Sequence, residues 1–532
     1  MDTLEEVIVP FAILSWRTVG TIILIWPVYY VLYLIYNVSP FHPLSKFPGP
    51  KIAAASYLYE FWFDMIKGGR YTMKIKEMHE IYGPIVRISP DELHCADPNF
   101  IDEIYATGKR KRDRSVHAMR NVPSAQAVSH FGTIDHDLHR KRRGAMSKFF
   151  SRSQILRLEP KIHSLAHKLC DKLLEEASSQ PIVIADPYSC FATDLAAEYG
   201  FGTTFGLMDQ GSWRPNFRRA VYSALNMTYI FKFFPFLKIT LYAGPWLSKF
   251  LPEDMAYLMD IFHITVPGLV EKAKQTKQSG VPDKDSRPNV FAELYNSDLP
   301  SEEKSTYRLV GEGTNLLYAG TETASNSLSI LTYYILSTPG VLENLTQELR
   351  TVTDDPRNLP TWPKLENLPY FSSTIMEGMR LFYGMSVRAP RVATEEDLFY
   401  CGKWTPKDGI EEVDVSYVVP RGYPIGMSSA IMHHDENVFP DSHQFKPERW
   451  IDENGQRRKD LEKCLLTFSK GSRQCVGINL AYCEVYVCIA AMVLRVFPHM
   501  KLYDTTKREV EYSYCMTVAM PASKKGVRVI VS

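Results

Sequence analysis

Ten residues, Phe468-Ser-Lys-Gly-Ser-Arg-Gln-Cys-Val-Gly477, constrain this 532-residue chain more than any other stretch. They follow the pattern F-x-x-G-x-R-x-C-x-G and lead into an apolar helical run over residues 478–496. Gly471 and Gly477 allow a tight backbone turn and a close approach by a large flat group. A deprotonated sulfur, shielded from water and met by backbone N–H groups, is what ligation of a haem iron requires. On this reading Cys475 is the axial iron ligand and Phe468 covers the sulfur side of the ring. Arg473 is placed for charge-assisted bonds to a haem propionate. Taken alone, Cys475 reads more readily as a buried cysteine ahead of a core helix; the five-position pattern reverses that.

A second chemical site lies about 150 residues upstream. Residues 311–337 read as one long helix with a polar interruption, Ala319-Gly320-Thr321-Glu322-Thr323. Small residues there leave room for O₂. Gly and back-bonding hydroxyls can open the helix ladder and admit water. Glu322 and Thr323 are the candidate catalytic pair, an acid and an alcohol that pass protons. Glu377 and Arg380 stand three apart on another helix face, where they can pair.

These motifs together resemble the cytochrome P-450 family, and the resemblance runs over nearly the whole chain. It implies a mainly α fold with small β-sheets, a single haem domain over residues 52–532, and heme b (iron protoporphyrin IX) as cofactor. In Phe445-Lys-Pro-Glu-Arg-Trp450 it supplies Arg449 as the usual third partner of Glu377 and Arg380, a structural network behind the ligand loop. Residues 135–151 resemble the helix that crosses the haem edge. Many members carry W-x-x-x-R there; this chain has His139 and Arg143, which makes Arg143 a second propionate candidate. Arg140, Lys141 and Arg142 point elsewhere, toward an acidic electron donor or simply toward water. Arg391, with Arg388 behind it, is a third propionate candidate, while Ser386 and Val387 fall where the family's strand faces substrate. The family places the aperiodic residues 115–135 over the haem. It makes the aromatic stretch 226–255, with Tyr229, Phe231, Phe233, Phe234, Phe236, Tyr242, Trp246 and Phe250, the pocket roof. The basic run over residues 109–114 reads as solvated surface.

Residues 18–45 contain no Asp, Glu, Lys or Arg, and residues 18–36 are long and apolar enough to cross a bilayer. The preceding segment is acidic and no A-x-A-like cleavage site follows, which favours an anchor over a signal peptide. Arg17 precedes the span; Lys46 and Lys51 follow it, placing the C-terminal side in the cytosol. Residues 1–17 are then lumenal. Residues 37–51, with Pro40, Pro43, Pro48 and Pro50, form a stiff hinge. The expected location is the endoplasmic reticulum membrane, single-pass, with a cytosolic catalytic domain.

Nine cysteines without CxxC or Cys/His metal spacing argue against a disulfide scaffold. A formal net charge of +1 gives no support for a nucleic-acid partner. No flavin or nicotinamide module is legible, so the resemblance implies electrons from an NADPH-cytochrome P-450 reductase, with cytochrome b5 as a further donor. The phrases KFPGPK, HEIYGPIVRI, DHDLHRKRR and RLFYGMSVRAPRV resemble filamentous-fungal members such as trichodiene oxygenase. The expected activity is therefore insertion of one oxygen atom into a lipophilic secondary metabolite, terpenoid or similar. A same-fold isomerase, dehydratase or peroxide-driven enzyme is the first alternative; a non-enzymatic haem carrier or gas sensor is the second.

Overall fold

Two helices set the middle of the molecule. Ala185–Phe201 is buried at every residue, and the 32-residue Thr306–Ser337 helix is buried along most of its length. A helix without a polar face has no stable place except between other elements, and these two pack against each other. Small residues let them approach: a Cβ on Gly320 would lie 3.2 Å from the Ala196 Cβ, and one on Gly200 would lie 2.8 Å from Leu316. The smallness of Gly320 therefore serves helix packing, not space for O₂. Ile478–Arg495, Arg152–Glu175 and Pro369–Phe382 complete the helical core.

The computed structural model describes residues 16–122, 124–243, 253–279, 289–406 and 411–532. Among them the architecture is mainly helical with small sheets. The largest sheet has five strands in the order Ile85–Arg87, Leu93–Cys95, Pro424–Gly426, Arg391–Ala393, Arg112–Arg114. Leu93–Cys95 and Pro424–Gly426 run parallel; the other pairs are antiparallel. This sheet brings Arg391 and Arg114 into register as direct neighbours, although 277 residues separate them in sequence (391 − 114).

Several expectations change in detail. The first described helix is Trp16–Val38, two residues longer at each end than the apolar span. Leu24, Ile25, Trp26 and Val28 on it are exposed, while Asn37 at its end is buried and donates to the Ala55 carbonyl at 2.8 Å. Pro40 and Pro43 lie in turns, and Pro50 is the extended residue ahead of a short helix at Lys51–Ala55. Pro187 does not interrupt its helix but sits in the first turn, where no intrahelical N–H is needed. The expected opening at residues 319–323 is absent: the central helix is continuous there. In the aromatic stretch, Thr228–Phe233 is helical with Tyr229 and Phe231 buried, whereas Phe236 is exposed. Trp246 and Phe250 lie outside the described residues.

Candidate functional site

The ligand loop is closed by its own backbone. Cys475 N–H donates to the Phe468 carbonyl at 2.9 Å, across a short 3-10 turn at Gly471–Arg473. Gly471 has φ +75°, and a Cβ there would meet the Tyr105 carbonyl oxygen at 2.1 Å, so only glycine fits. Gly477 is different: its φ is −86° and a Cβ would enter open space. The tight-turn argument therefore holds for Gly471 and not for Gly477. Burial raises the Cys475 thiol pKa; the Gly477 N–H and the Arg143 charge oppose that rise. Cys475 nevertheless keeps accessible surface. Both facts hold together if the sulfur faces an enclosed interior space. Phe468 stands beside the loop with its ring 5.0 Å from that of Tyr482.

A basic cradle lies next to the loop. Arg473 is buried and donates to the carbonyls of Arg112, Thr133 and Ile134. Arg391 donates to Ala389 and Pro390 carbonyls at 3.0 and 3.1 Å and to Ser469 Oγ at 3.3 Å. Arg114, which the sequence reading left in a solvated run, is the third member. Burial and then the charges of Arg391 and Arg473 push its pKa down. Arg473 is brought down to about 9, by burial first and Arg391 second. Among the described residues none of the three forms an ion pair with a carboxylate, and Arg114 Nε and His139 Nδ1 are buried without partners. His139 itself is lowered to about 2 by burial and then by Arg473. Three buried guanidiniums lacking an anion, beside a cysteine sulfur, fit the two carboxylates and the iron of a haem. Arg143 donates to the Gln474 carbonyl at 2.5 Å.

Thr323 and Ala319 share a helix face and keep accessible surface in a stretch that is otherwise largely buried. Thr323 Oγ1 donates back to the Ala319 carbonyl at 2.6 Å. Glu322 points elsewhere. Its carboxylate is buried, neither oxygen has a hydrogen bond of proper geometry, and its pKa is raised to about 7 by burial. Arg218 and the Tyr222 hydroxyl stand close enough to oppose that rise in part.

Behind the ligand loop, Glu377, Arg380 and Arg449 come together as expected for a network. Arg380 forms a two-point pair with Glu377 at 2.8 and 2.9 Å, and Arg449 Nε reaches it at 3.1 Å. Two members escaped the sequence reading. Trp450 Nε1 donates to Glu377 at 2.9 Å, and the indole had been quoted within the motif without a role. His433 receives the Leu466 N–H at 2.8 Å and donates to the Arg380 carbonyl at 2.7 Å, which joins the network to the start of the loop.

Other basic residues are already engaged. Arg110, Lys111 and Arg112 pair with Glu103, Glu395, Glu396 and Asp137, so this run is not simply a wet surface. Arg142 pairs with Glu303 at 2.6 Å and is withdrawn from any external partner, while Arg140 and Lys141 stay exposed. Arg388 is no propionate partner. It belongs to a buried charge cluster with Glu60, Glu92 and Asp64, joined by Lys232 and by His117 at 2.8 Å from Glu60. No local pattern announces this cluster, because its members come from five distant segments. Ser386 is buried and donates to the Cys515 sulfur at 3.2 Å.

The model of the family described as Cytochrome P450 matches residues 48–524. The chain belongs to the cytochrome P450 family. Its relatives are fungal. It is 42% identical over 465 residues to "Cytochrome P450 monooxygenase ppzE" of Metarhizium majus (strain ARSEF 297), covering 84% of this chain and 94% of that one. It is 34% identical over 504 residues to "Tryptophan 6-hydroxylase fscE" of Fusarium equiseti, covering 92% of each. "Cytochrome P450 monooxygenase TRI4" of Fusarium sporotrichioides is 32% identical over 519 residues, with 96% and 94% covered. This P450 is thus an oxidoreductase of the monooxygenase group, and its family implies a haem cofactor and a redox partner.

Proposed function

We propose that this P450 is a membrane-anchored monooxygenase that inserts one oxygen atom of O₂ into a lipophilic small molecule of fungal secondary metabolism. Electrons would come from an NADPH-dependent reductase, with cytochrome b5 as a further donor. The observation that carries the reading is Cys475, which keeps accessible surface although burial dominates its thiol's pKa, near Arg391, Arg473 and Arg114, none of them ion-paired to a carboxylate among the described residues. Heme b, when bound, supplies the redox chemistry that divides O₂ between product and water. Cys475 would hold the iron. Arg473, Arg391 and Arg114 would meet the propionates through charge-assisted bonds, with Arg143 holding the Gln474 carbonyl beside the ligand. Thr323 holds a hydroxyl at the interior face of the central helix, and Glu322 is a buried acid that titrates near neutrality, the range a proton donor needs. The buried Tyr229 and Phe231 help exclude water from the substrate side.

The exposed apolar side chains of Trp16–Val38 support an anchor over residues 18–36 in the endoplasmic reticulum membrane, with the domain in the cytosol. Ile478–Arg495 is also long and apolar enough to span a bilayer, but it is buried in the domain core. One relative is named as a tryptophan hydroxylase; for this chain a terpenoid or similar compound remains our proposal. The test is expression with reductase in a host making candidate precursors, under ¹⁸O₂. One labelled oxygen in the product is expected. Product formation without label, or turnover without NADPH, would overturn the monooxygenase assignment.

A further inference from the structure

Residues 129–134 touch two members of the basic cradle. Arg473 donates to the Thr133 and Ile134 carbonyls. Arg114 donates its backbone N–H to the Ile134 carbonyl at 3.1 Å, and its guanidinium lies over the Phe131 ring at 4.5 Å. The segment has no helix or strand of its own. It folds back through Thr133 Oγ1, which donates to the Ser129 carbonyl at 2.8 Å. Bonds internal to a loop do not stop it from lifting as a unit.

A ring of alternating charges fastens it. Arg142, on the His136–Ser147 helix, pairs with Glu303 at 2.6 and 2.9 Å and donates from Nη1 to Thr133 Oγ1 at 2.8 Å. Glu303, just ahead of the central helix, also meets Arg308 at 3.1 Å. Arg308 reaches Glu312, one turn on, at 2.5 Å. Glu312 returns to the segment: it accepts from the His130 backbone N–H at 2.8 Å and from His130 Nδ1 at 2.7 Å. Three residues of chain then lead from His130 back to Thr133. Glu312, Arg308, His130 and Thr133 are buried, while Arg142 and Glu303 close the ring nearer the surface.

Two guanidiniums and two carboxylates alternate in this ring, so opening it at any point strands a charge where little water reaches. Each bond to the segment is thereby supported by the pairs behind it. We propose that Arg142, Glu303, Arg308 and Glu312 form a clasp that holds residues 129–134 closed and so positions Arg473 and Arg114 toward the propionate edge of the haem. They are positioning residues, and none is expected to touch the cofactor. The proposal rests on the reading of Arg473 and Arg114 as propionate partners. Opening the clasp frees two of the three carbonyls that orient Arg473, together with the ring that lies under Arg114, and the haem then leaves faster.

The experiment follows the haem-loaded full-length enzyme in two ways. One is transfer of haem to excess apomyoglobin. The other is amide hydrogen exchange by mass spectrometry, read on peptides covering residues 129–134 and on peptides elsewhere. Arg142→Gln and Glu312→Gln should each raise exchange at residues 129–134 and speed haem loss at least on the order of tenfold. Arg142→Lys keeps the pair with Glu303 and should restore most of the wild-type rate. Both Arg142 variants act at the outer edge of the ring and stay informative should Glu312→Gln not fold. Arg142 does not touch Glu312, so a double variant that loses haem more slowly than the product of the two single effects identifies one closed unit. General loosening would instead raise exchange across the chain and let the effects multiply. Wild-type exchange at residues 129–134 in Arg142→Gln, or single effects that multiply, would overturn the clasp. Local exchange that rises while haem loss does not would overturn its bearing on the cofactor. A wild-type chain that takes up no haem would refute the haem reading itself, and exchange would still decide whether the ring closes.

Discussion

Replacing Glu322 by Gln tests the buried acid through stability alone, without a known substrate. The folded-state pKa is raised from 4.5 to about 7. A raised acid pKa means that the fold prefers the neutral form. Its relative stability is therefore fully present below pH 4.5 and is lost as pH rises toward 7. At 1.36 kcal/mol per unit, the destabilisation reaches about 0.8 kcal/mol at pH 5 and about 3.3 kcal/mol at pH 8, close to its plateau. Gln has nearly the same shape and no titration. The difference in unfolding free energy between Glu322→Gln and wild type should thus grow by about 2.5 kcal/mol in favour of the variant from pH 5 to pH 8. Urea unfolding followed by tryptophan fluorescence, at several pH values, measures it. A constant offset reports only packing or hydrogen-bond changes. If the difference stays flat within about 0.5 kcal/mol, Glu322 is not held near neutrality and its assignment as a proton donor fails.

Cys475→Ala should abolish the red-shifted Soret band of the ferrous carbonyl complex, while Cys464→Ala and Cys483→Ala keep it; the difference spectrum decides. Glu377→Gln leaves Arg380 and Arg449 without their shared carboxylate and should cost about 3–5 kcal/mol, read as a lower urea midpoint and less haem per protein. Thr323→Ala should leave haem content intact while NADPH consumption continues, product per NADPH falls and peroxide rises; unchanged coupling would reduce Thr323 to its back-bond with Ala319. Lys232→Met removes one of the cations of the buried cluster and leaves Arg388 to face Glu60, Asp64 and Glu92; it should destabilise by up to about 3–5 kcal/mol, measured by the same urea midpoint.

What the chain discloses depends on how far apart cooperating residues lie. The ligand loop is contiguous, and Gly471 has one physical explanation that holds in three dimensions. Glu377 and Arg380 are one helical turn apart, so their pairing is legible from spacing. Arg114 is not legible, because KRKRDR looks like any solvated run. Its role appears only once Arg112–Arg114 pairs with Arg391–Ala393 and sets Arg114 opposite Arg391. Glu60 and Arg388 meet across 328 residues, and no local pattern joins them. Gly320 shows the converse: a small residue in a reactive-looking motif is explained by the helix packed against it.

The ligand loop is held from two sides by different physics. On one side a closed, fully satisfied charge network fixes the chain just before it: Glu377 accepts from Arg380, Arg449, Trp450 Nε1 and the Lys446 N–H, and His433 passes the linkage to Leu466. Such a network needs nothing further, and Glu377 is accordingly held below the usual carboxylate range: burial is the largest single influence and raises it, but the bonds and charge of Arg380, the charge of Arg449 and the Lys446 N–H together outweigh that. On the other side stand Arg473, Arg391 and Arg114, whose pKa values all fall, by burial first; neighbouring arginines add to the fall at Arg114 and Arg473. The donors of Arg473 and Arg391 are nonetheless fastened to backbone from residues 112, 133–134 and 389–390. A positive cradle of that kind stabilises the fold only when a compact dianion lies in it. The first network positions the sulfur whatever is bound. The second, on the proposed function, would join closure of three remote segments to binding of the haem.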